Sequence, residues 1–248
     1  MKVQQRRLSG GRVERYWVVE MRLPEEHGWL VRGEEECHSL LTSWSFTLAR
    51  KPKLEETFHF VSWSNKSPEE FAKELVKEVH EYNGFNLITL DLSSNTMFYI
   101  SNRPKSEPPT VQQVQPGIHV LSNAKLDSSW PKAQRLKFNF KKLLSAYDKD
   151  EDIPMKDMMD KLMRDTMKAE KSQLPNICSI DWEHNLSSIF VEVDTPLGRY
   201  GTRSMIALSI KDTEEASFHE TYIERGFWWE KTVDYYVTPQ VKTKDIVF

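Results

Sequence analysis

Three β-rich runs, 200–210, 216–224 and 228–237, follow one another near the C-terminus with only short turns between them. Strands joined so tightly pair antiparallel, because a parallel crossover needs roughly a dozen or more residues. This meander is the strongest constraint on the fold. A further strand at 186–193 enters it through the turn Pro196-Leu197-Gly198. Upstream, 85–92 and 97–101 read as a hairpin joined by 93–96, and Pro116-Gly117 turns into a short strand at 118–121. Strands, then helices, then several antiparallel strands predict an α+β sandwich.

The helices carry their own signals. Ser67-Pro68-Glu69-Glu70 combines an N-cap serine, a proline at the first helical position and a capping-box glutamate. Phe71, Leu75 and Val79, with Ala72 and Val76 alongside, form an apolar stripe that Asn83-Gly84 ends, a helix of about four turns. A second helix, 131–144, spaces Ala133, Leu136, Phe140 and Leu143 for one face. A third, 154–168, carries Met158, Met159, Leu162, Met163 and Met167. That methionine stripe suits a soft ligand or haem surface, although core packing is the stronger reading. Residues 169–185 read as a long polar loop, and the charge run at 148–152 as a solvated one.

Composition narrows the class. With 248 residues, 39% of them apolar, and only 9 Gly and 12 Pro, the chain can bury a core and is neither collagen-like nor wholly disordered. Cys37 and Cys178 lack partners at zinc spacing and fit a reducing compartment. A net charge of −3 argues against nucleic acid as a partner. No apolar run approaches the roughly 20 residues of a transmembrane helix. The arginines within 1–15 have no apolar stretch behind them, so no secretory signal is expected. The first 63 residues stand apart, with no Asp, Asn or Ile but with Trp17, Trp29, Trp44 and Trp63. Neither periodicity persists there, and apolar residues adjoin charge clusters such as Glu34-Glu35-Glu36. The expected organisation is a poorly ordered segment with only short strands or helices at 1–63, an α+β domain at 64–240 and a tail at 241–248.

No nucleophile elbow, HExxH motif, P-loop or dinucleotide fingerprint occurs, and the seven histidines are scattered. Polar residues instead collect at strand ends: Asn83 and Asn86, Ser101-Asn102-Arg103-Pro104, Ser122-Asn123 and Tyr200-Gly201-Thr202-Arg203. Amides and an arginine fork converging on one rim suit a carboxylate, amide or phosphate. Turn chemistry is the competing explanation, since hairpin ends demand Asn and Gly. Asn86, Asn102, Arg103, Asn123, Thr202 and Arg203 are therefore candidate ligand-binding residues, with no catalytic or metal residue assigned.

Several spaced motifs resemble the transport and Golgi organisation protein 2 family, also called the NRDE family. They are the run from Tyr82 to Ile88, Ile100-Ser101-Asn102-Arg103, the run from Pro116 to Ala124, Trp130-Pro131-Lys132 and Tyr200-Gly201-Thr202-Arg203-Ser204. The resemblance spans about 65–237 in unbroken order. It implies a fold like that of the N-terminal-nucleophile hydrolases, a four-layer αββα sandwich, here incomplete at its N-terminus. It also implies roles in Golgi organisation, protein secretion and, for eukaryotic members, haem trafficking. The expected setting is the cytoplasm, in association with Golgi or mitochondria, with haem as a possible cargo, or another small anion, and secretory-pathway proteins as partners.

The family's opening motifs, Met-Cys, Asn-Arg-Asp-Glu, Gly-Gly-Thr-Trp-Leu and Phe-Leu-Thr-Asn, are absent before Ser64. Reading the third base of each codon with the first two of the next restores several of them in order. Tyr16-Trp17 must then give Leu and Trp17-Val18 must give Gly. The pairs from Glu25-Glu26 to Gly28-Trp29 allow Gly-Thr-Trp-Leu, and 36–44 allows Val-Ser-Phe-Leu-Thr-Asn-Val-Leu. The first 63 residues thus read as frame-displaced, through a gene-model error, an indel or alternative exon joining. On this reading strands such as 85–92 or 186–193 would lose neighbours. Catalysis of the N-terminal-nucleophile kind needs a leading Cys, Ser or Thr, and Met1 precedes Lys2, so no hydrolase activity is expected of the chain as written. An amide hydrolase in a full-length form and a simple interaction module remain the alternatives.

Overall fold

The computed structural model describes residues 2–7, 13–24, 58–60, 67–82, 84–91, 94–104, 106–147, 152–196 and 198–236. Cys37, Asn83, Leu197, the charge run up to 151 and the tail at 241–248 lie outside them. Strands β1 (Lys2–Arg7), β2 (Val13–Pro24) and β3 (Phe58–Phe60) precede helix α1 (Pro68–Lys77). Then come β4 (Asn86–Asp91), β5 (Thr96–Ser101), β6 (Thr110–Gln113) and β7 (His119–Val120). Helices α2 (Pro131–Ser145), α3 (Met155–Met163) and α4 (Ile180–Asn185) lead to β8 (Glu192–Thr195), β9 (Gly198–Lys211), β10 (Glu215–Glu224) and β11 (Phe227–Tyr236).

The chain is α+β with two sheets. The larger runs β11-β10-β9-β2-β1-β7, with β8 also on β9, and every pairing in it is antiparallel. The smaller runs β3-β4-β5-β6, antiparallel except for the parallel β3–β4 pair. Strand alternation gives each sheet two faces, and three apolar clusters show what covers them. Helix α1 lays Ala72 and Leu75 against Leu87 and Ile100 on the outer face of the smaller sheet. On its inner face Ile88, Met97 and Tyr99 meet Ile206, Ile210 and Ala216 of the larger sheet. The far side of the larger sheet, with Met205 and Ala207, is covered by α2 and α3. The layers thus run helix, sheet, sheet, helix. Phe140 of α2 and Met158 of α3 are both fully buried there, and each such side chain contributes roughly 1.5–3 kcal/mol of transfer free energy.

Helix α1 begins where its cap requires. Ser67 Oγ accepts from the Glu70 N–H at 3.2 Å, and the Glu70 carboxylate accepts from the Ser67 N–H at 2.8 Å.

Three elements depart from the sequence expectation. Helix α3 stops at Met163, short of 168, and Met167 leaves the apolar stripe to stand exposed. The chain there finds other partners: Arg135 of α2 holds the Asp165 carboxylate at 2.6 Å and also donates to the Met167 carbonyl, while Phe190 N donates to the Asp165 carbonyl at 2.7 Å. The strand expected at 186–193 is confined to β8; before it, Leu186 and Ser187 close the C-terminus of α4 through the Trp182 and His184 carbonyls. Buried Ile189 and Val191 supplied the misleading apolar run, since a short buried segment cannot be told from a strand by periodicity. The polar loop at 169–185 contains α4, whose buried Glu183 accepts from the Asn176 and Ile177 N–H groups.

Strands β1 and β2 lie within the stretch that composition set apart. β2 pairs with β9 from Glu14↔Lys211 to Pro24↔Tyr200 and with β1 on its other edge. Its sequence is apolar at four successive positions, Tyr16 to Val19, as suits a central strand in a sheet covered on both faces. Alternation is therefore a poor detector of it. β4 likewise has a neighbour on each edge, β3 and β5.

Candidate functional site

The polar residues at one end of the smaller sheet form a hydrogen-bonded frame. Asn86 opens β4 and Ser101 closes β5, and the two are register partners. Asn86 is only 5% exposed, so its amide needs partners within the protein. Its Oδ1 lies 2.8 Å from both the Tyr99 and Ser101 hydroxyls, and its Nδ2 donates to the Ser122 carbonyl at 3.1 Å. Asn102, also buried, accepts from the Phe85 N–H at 2.7 Å and donates to the Val79 carbonyl at 3.3 Å. Arg103 donates through Nη2 to the Gly84 carbonyl at 2.8 Å, and its backbone N–H donates to Ser101 Oγ at 3.1 Å. A Cβ on Gly84 would stand 2.9 Å from Arg103 Nε, so glycine lets the guanidinium lie against the backbone. Burial raises the Tyr99 phenol above its ordinary pKa, against the opposing pull of Ser101, Leu126, Lys125 and Arg103. Asn123 follows Ser122, half-buried beside the same frame.

Thr202 and Arg203 belong to the other sheet. Thr202 Oγ1 accepts from the Val191 N–H at 3.0 Å, and the Thr202 N–H donates to the Val191 carbonyl at 2.8 Å. That approach is so close that a Cβ on Gly201 would sit 2.2 Å from the Val191 oxygen. Arg203 is the extra residue of a β-bulge, since Met21 pairs with Ser204 and Arg22 with Thr202. Bulges of this kind re-aim a side chain at a sheet margin. One residue on, Ser204 donates to Glu220 at 2.9 Å, and burial raises the Glu220 carboxyl above its usual range despite Ser204 and nearby Lys231.

The frame therefore ties together Asn86, Asn102 and Arg103 with Ser122 beside Asn123, while Thr202 and Arg203 lie within β9 of the other sheet, where it passes Val191. Turn chemistry accounts for the two buried amides, since Asn86 and Asn102 direct their hydrogen bonds to the backbone and hydroxyl groups that close the strand ends. Tyr99, Glu220 and the bulge at Arg203 escaped the sequence reading. Tyr99 has no local signal, since its role arises from its cross-strand position near Asn86, and a bulge appears only once register is known.

A second polar cluster sits where β7 meets α2. Asp127 faces His119 Nδ1 at 2.6 Å, the Val120 N–H at 3.1 Å and Lys137 at 2.9 Å, and His119 Nε2 lies 2.8 Å from the Gln115 carbonyl. Burial resists ionisation of Asp127, but Lys137, His119 and the Val120 N–H outweigh it and hold the carboxyl below its ordinary range. Among the described residues no group of three or more His, Cys, Asp or Glu side chains could hold a metal ion. No described helix is long and apolar enough to cross a membrane.

Motifs, fold and strand-end frame define one class of α+β chain, and comparison with known proteins gives its family. The model of the family described as Transport and Golgi organisation 2 matches residues 53–225. The chain belongs to this family. The mouse Transport and Golgi organization 2 homolog is 30% identical over 175 residues, covering 68% of this chain and 59% of the mouse protein. The human Transport and Golgi organization protein 2 homolog is 30% identical over 163 residues, covering 63% and 55%. The bovine homolog is 29% identical over 175 residues, covering 65% and 59%. The chain thus spans 55–59% of the length of these relatives.

Proposed function

We propose that this chain serves transport and Golgi organisation, and with them protein secretion, as a non-catalytic binding protein of the cytoplasm whose cargo is a small anion such as haem. The observation that carries this reading is the strand-end frame. Its amides close the strand ends through backbone and hydroxyl partners, and Arg103, whose backbone N–H donates to Ser101 Oγ, supplies the guanidinium suited to a bound carboxylate. Groups so held can bind and polarise, but none is a nucleophile beside a base. The helix, sheet, sheet, helix order supports a fold of the N-terminal-nucleophile-hydrolase kind, used here for binding rather than turnover. The names of the mouse, human and bovine relatives supply the cellular setting.

A haem titration of the full chain tests the reading. Saturable binding is expected, weakened about tenfold by Arg103→Gln and by Arg203→Gln, each a loss of about 1.4 kcal/mol. Binding indifferent to both substitutions contradicts it. The alternative of an interaction module rests on β11, which lies at the edge of the larger sheet with Phe227, Trp229 and Tyr236 each more than half exposed. Among the described residues no strand pairs with the outer side of β11, and such an edge with protruding aromatics suits strand addition by a partner; Trp229→Ser would abolish that role while leaving haem binding intact.

A further inference from the structure

One buried polar atom on the helix-covered face of the larger sheet has no partner. His219 of β10 is 3% exposed; its Nδ1 lies 2.7 Å from Thr232 Oγ1, and its Nε2 is buried without a hydrogen bond. A buried nitrogen left this way calls for an explanation, such as an ion. Thr232 can accept from Nδ1–H, which leaves Nε2 as a bare lone pair. That is the pattern of a metal-binding histidine, whose second ring nitrogen is fixed by a hydrogen bond.

The surroundings of Nε2 name the kind of metal. His219 stands opposite Ala207 on β9 and opposite Thr232 on β11, and cross-strand partners share a face. Ala207 is packed into the cluster that holds Met155, Met158, Met159 and Met163 of α3. Lys156 of α3 forms an ion pair with Glu230 of β11, and Arg164 just beyond α3 lies over the Trp228 ring at 5.6 Å from its centre, so α3 runs along the same face of the sheet as His219. At 3.6 residues per turn, Met159 flanks the row of Lys156 and Asp160 toward the core, while Met158 lies on the far side. Met159 is 1% exposed.

We propose that His219 Nε2 and the Met159 thioether form a binding site for a soft monovalent metal ion with the chemistry of Cu(I), the Met163 thioether one turn along being placed to add a third ligand. Thioether and imidazole donors select such ions, and no carboxylate cage is needed. The step is coordination alone, with no bond broken and no electron transferred.

The test uses the full chain with Cys37 and Cys178 replaced by serine, because thiolates would compete. Cu(I) is supplied anaerobically against bicinchoninate, and Ag(I) serves as a redox-inert probe. One equivalent is expected to bind, with affinity falling at least tenfold in His219→Leu and in Met159→Leu, and unchanged in Met167→Leu at an exposed position. Met159→Leu nearly conserves volume, so circular dichroism will separate loss of a ligand from loss of fold. X-ray absorption is expected to show one nitrogen and one or two sulfur neighbours. No binding that competes with the chelator, or binding untouched by both ligand substitutions, overturns the assignment.

Discussion

The two sheets are assembled from different kinds of sequence distance. The smaller one is largely local: β4, β5 and β6 follow one another within 86–113, and its polar end is closed by neighbours in the chain. In the larger one β2, near the N-terminus, pairs along β9, almost two hundred residues later. Their polar chemistry differs in the same way. At the end of the smaller sheet the buried amides of Asn86 and Asn102 are matched by named donors and acceptors. On the larger sheet His219 keeps one nitrogen unmatched. A satisfied network fixes geometry and is costly to disturb, whereas an unsatisfied atom costs free energy until something binds it.

The largest effect that could break this comparison comes from removing residues 1–24, which takes β1 and β2 from between β9 and β7. A long central edge then opens on β9. Loss of a single cooperative urea transition is expected, against the roughly 5–15 kcal/mol that a domain possesses. A sharp, reversible transition in the shortened chain would show that the larger sheet holds without its middle. The frame-displacement proposal is checked separately by the encoding nucleotides, and it fails if the offset frame contains a stop codon.

A smaller but sharper contrast sets two leucine substitutions side by side. Asn86→Leu removes the acceptor of the Tyr99 hydroxyl and the donor to the Ser122 carbonyl, while Ser101 keeps the Phe85 carbonyl, and each buried group left unpaired costs about 1–3 kcal/mol. Several kcal/mol of destabilisation is expected from urea unfolding. His219→Leu removes an atom that has no partner and gives up only the Thr232 contact. Its cost is expected to stay within about 1 kcal/mol. Equal losses for the two would erase the distinction between matched and unmatched polarity.

The carboxyls predict opposite pH slopes. Asp127 is depressed in the folded state, so its contribution is present above the unfolded carboxylate value and is lost as pH falls through the folded one. Glu220 is raised, chiefly by burial, so its contribution is present below the unfolded value and is lost as pH rises through the folded one. Unfolding of Asp127→Asn and Glu220→Gln across pH 3–7, each against the parent chain, is expected to show the first difference shrinking toward acid and the second growing toward neutrality, with Glu220→Gln gaining on the parent. Parallel pH profiles would contradict both assignments.

Much of the fold was legible where interactions are local. The capping box at Ser67 and Glu70, the stripe of α2 and the C-terminal meander all declare themselves within a few residues, and the structure has each close to its expected bounds. Helix α1, by contrast, ends at Lys77, short of the stop expected at Asn83-Gly84, and Val79 falls in a 3-10 turn behind it. Met167 was misplaced because what stops α3 is Arg135, thirty residues away in α2. β2 was not legible as a strand because its run from Tyr16 to Val19 shows no alternation. At the candidate site, Asn86, Asn102 and Arg103 showed themselves through turn chemistry, but their shared network depends on β4–β5 register and on Ser122. The unmatched nitrogen of His219 could not be seen at all, since it follows from what three strands and a helix place around one ring.

The central claim is that the strand-end frame holds and orients without turning over a substrate. Its most direct test is the release of product from acyl-amide substrates by the full chain, purified to constant specific activity and compared with Asn102→Ala. The account predicts no turnover above the uncatalysed rate in either protein, and turnover that survives purification and disappears in Asn102→Ala would contradict it.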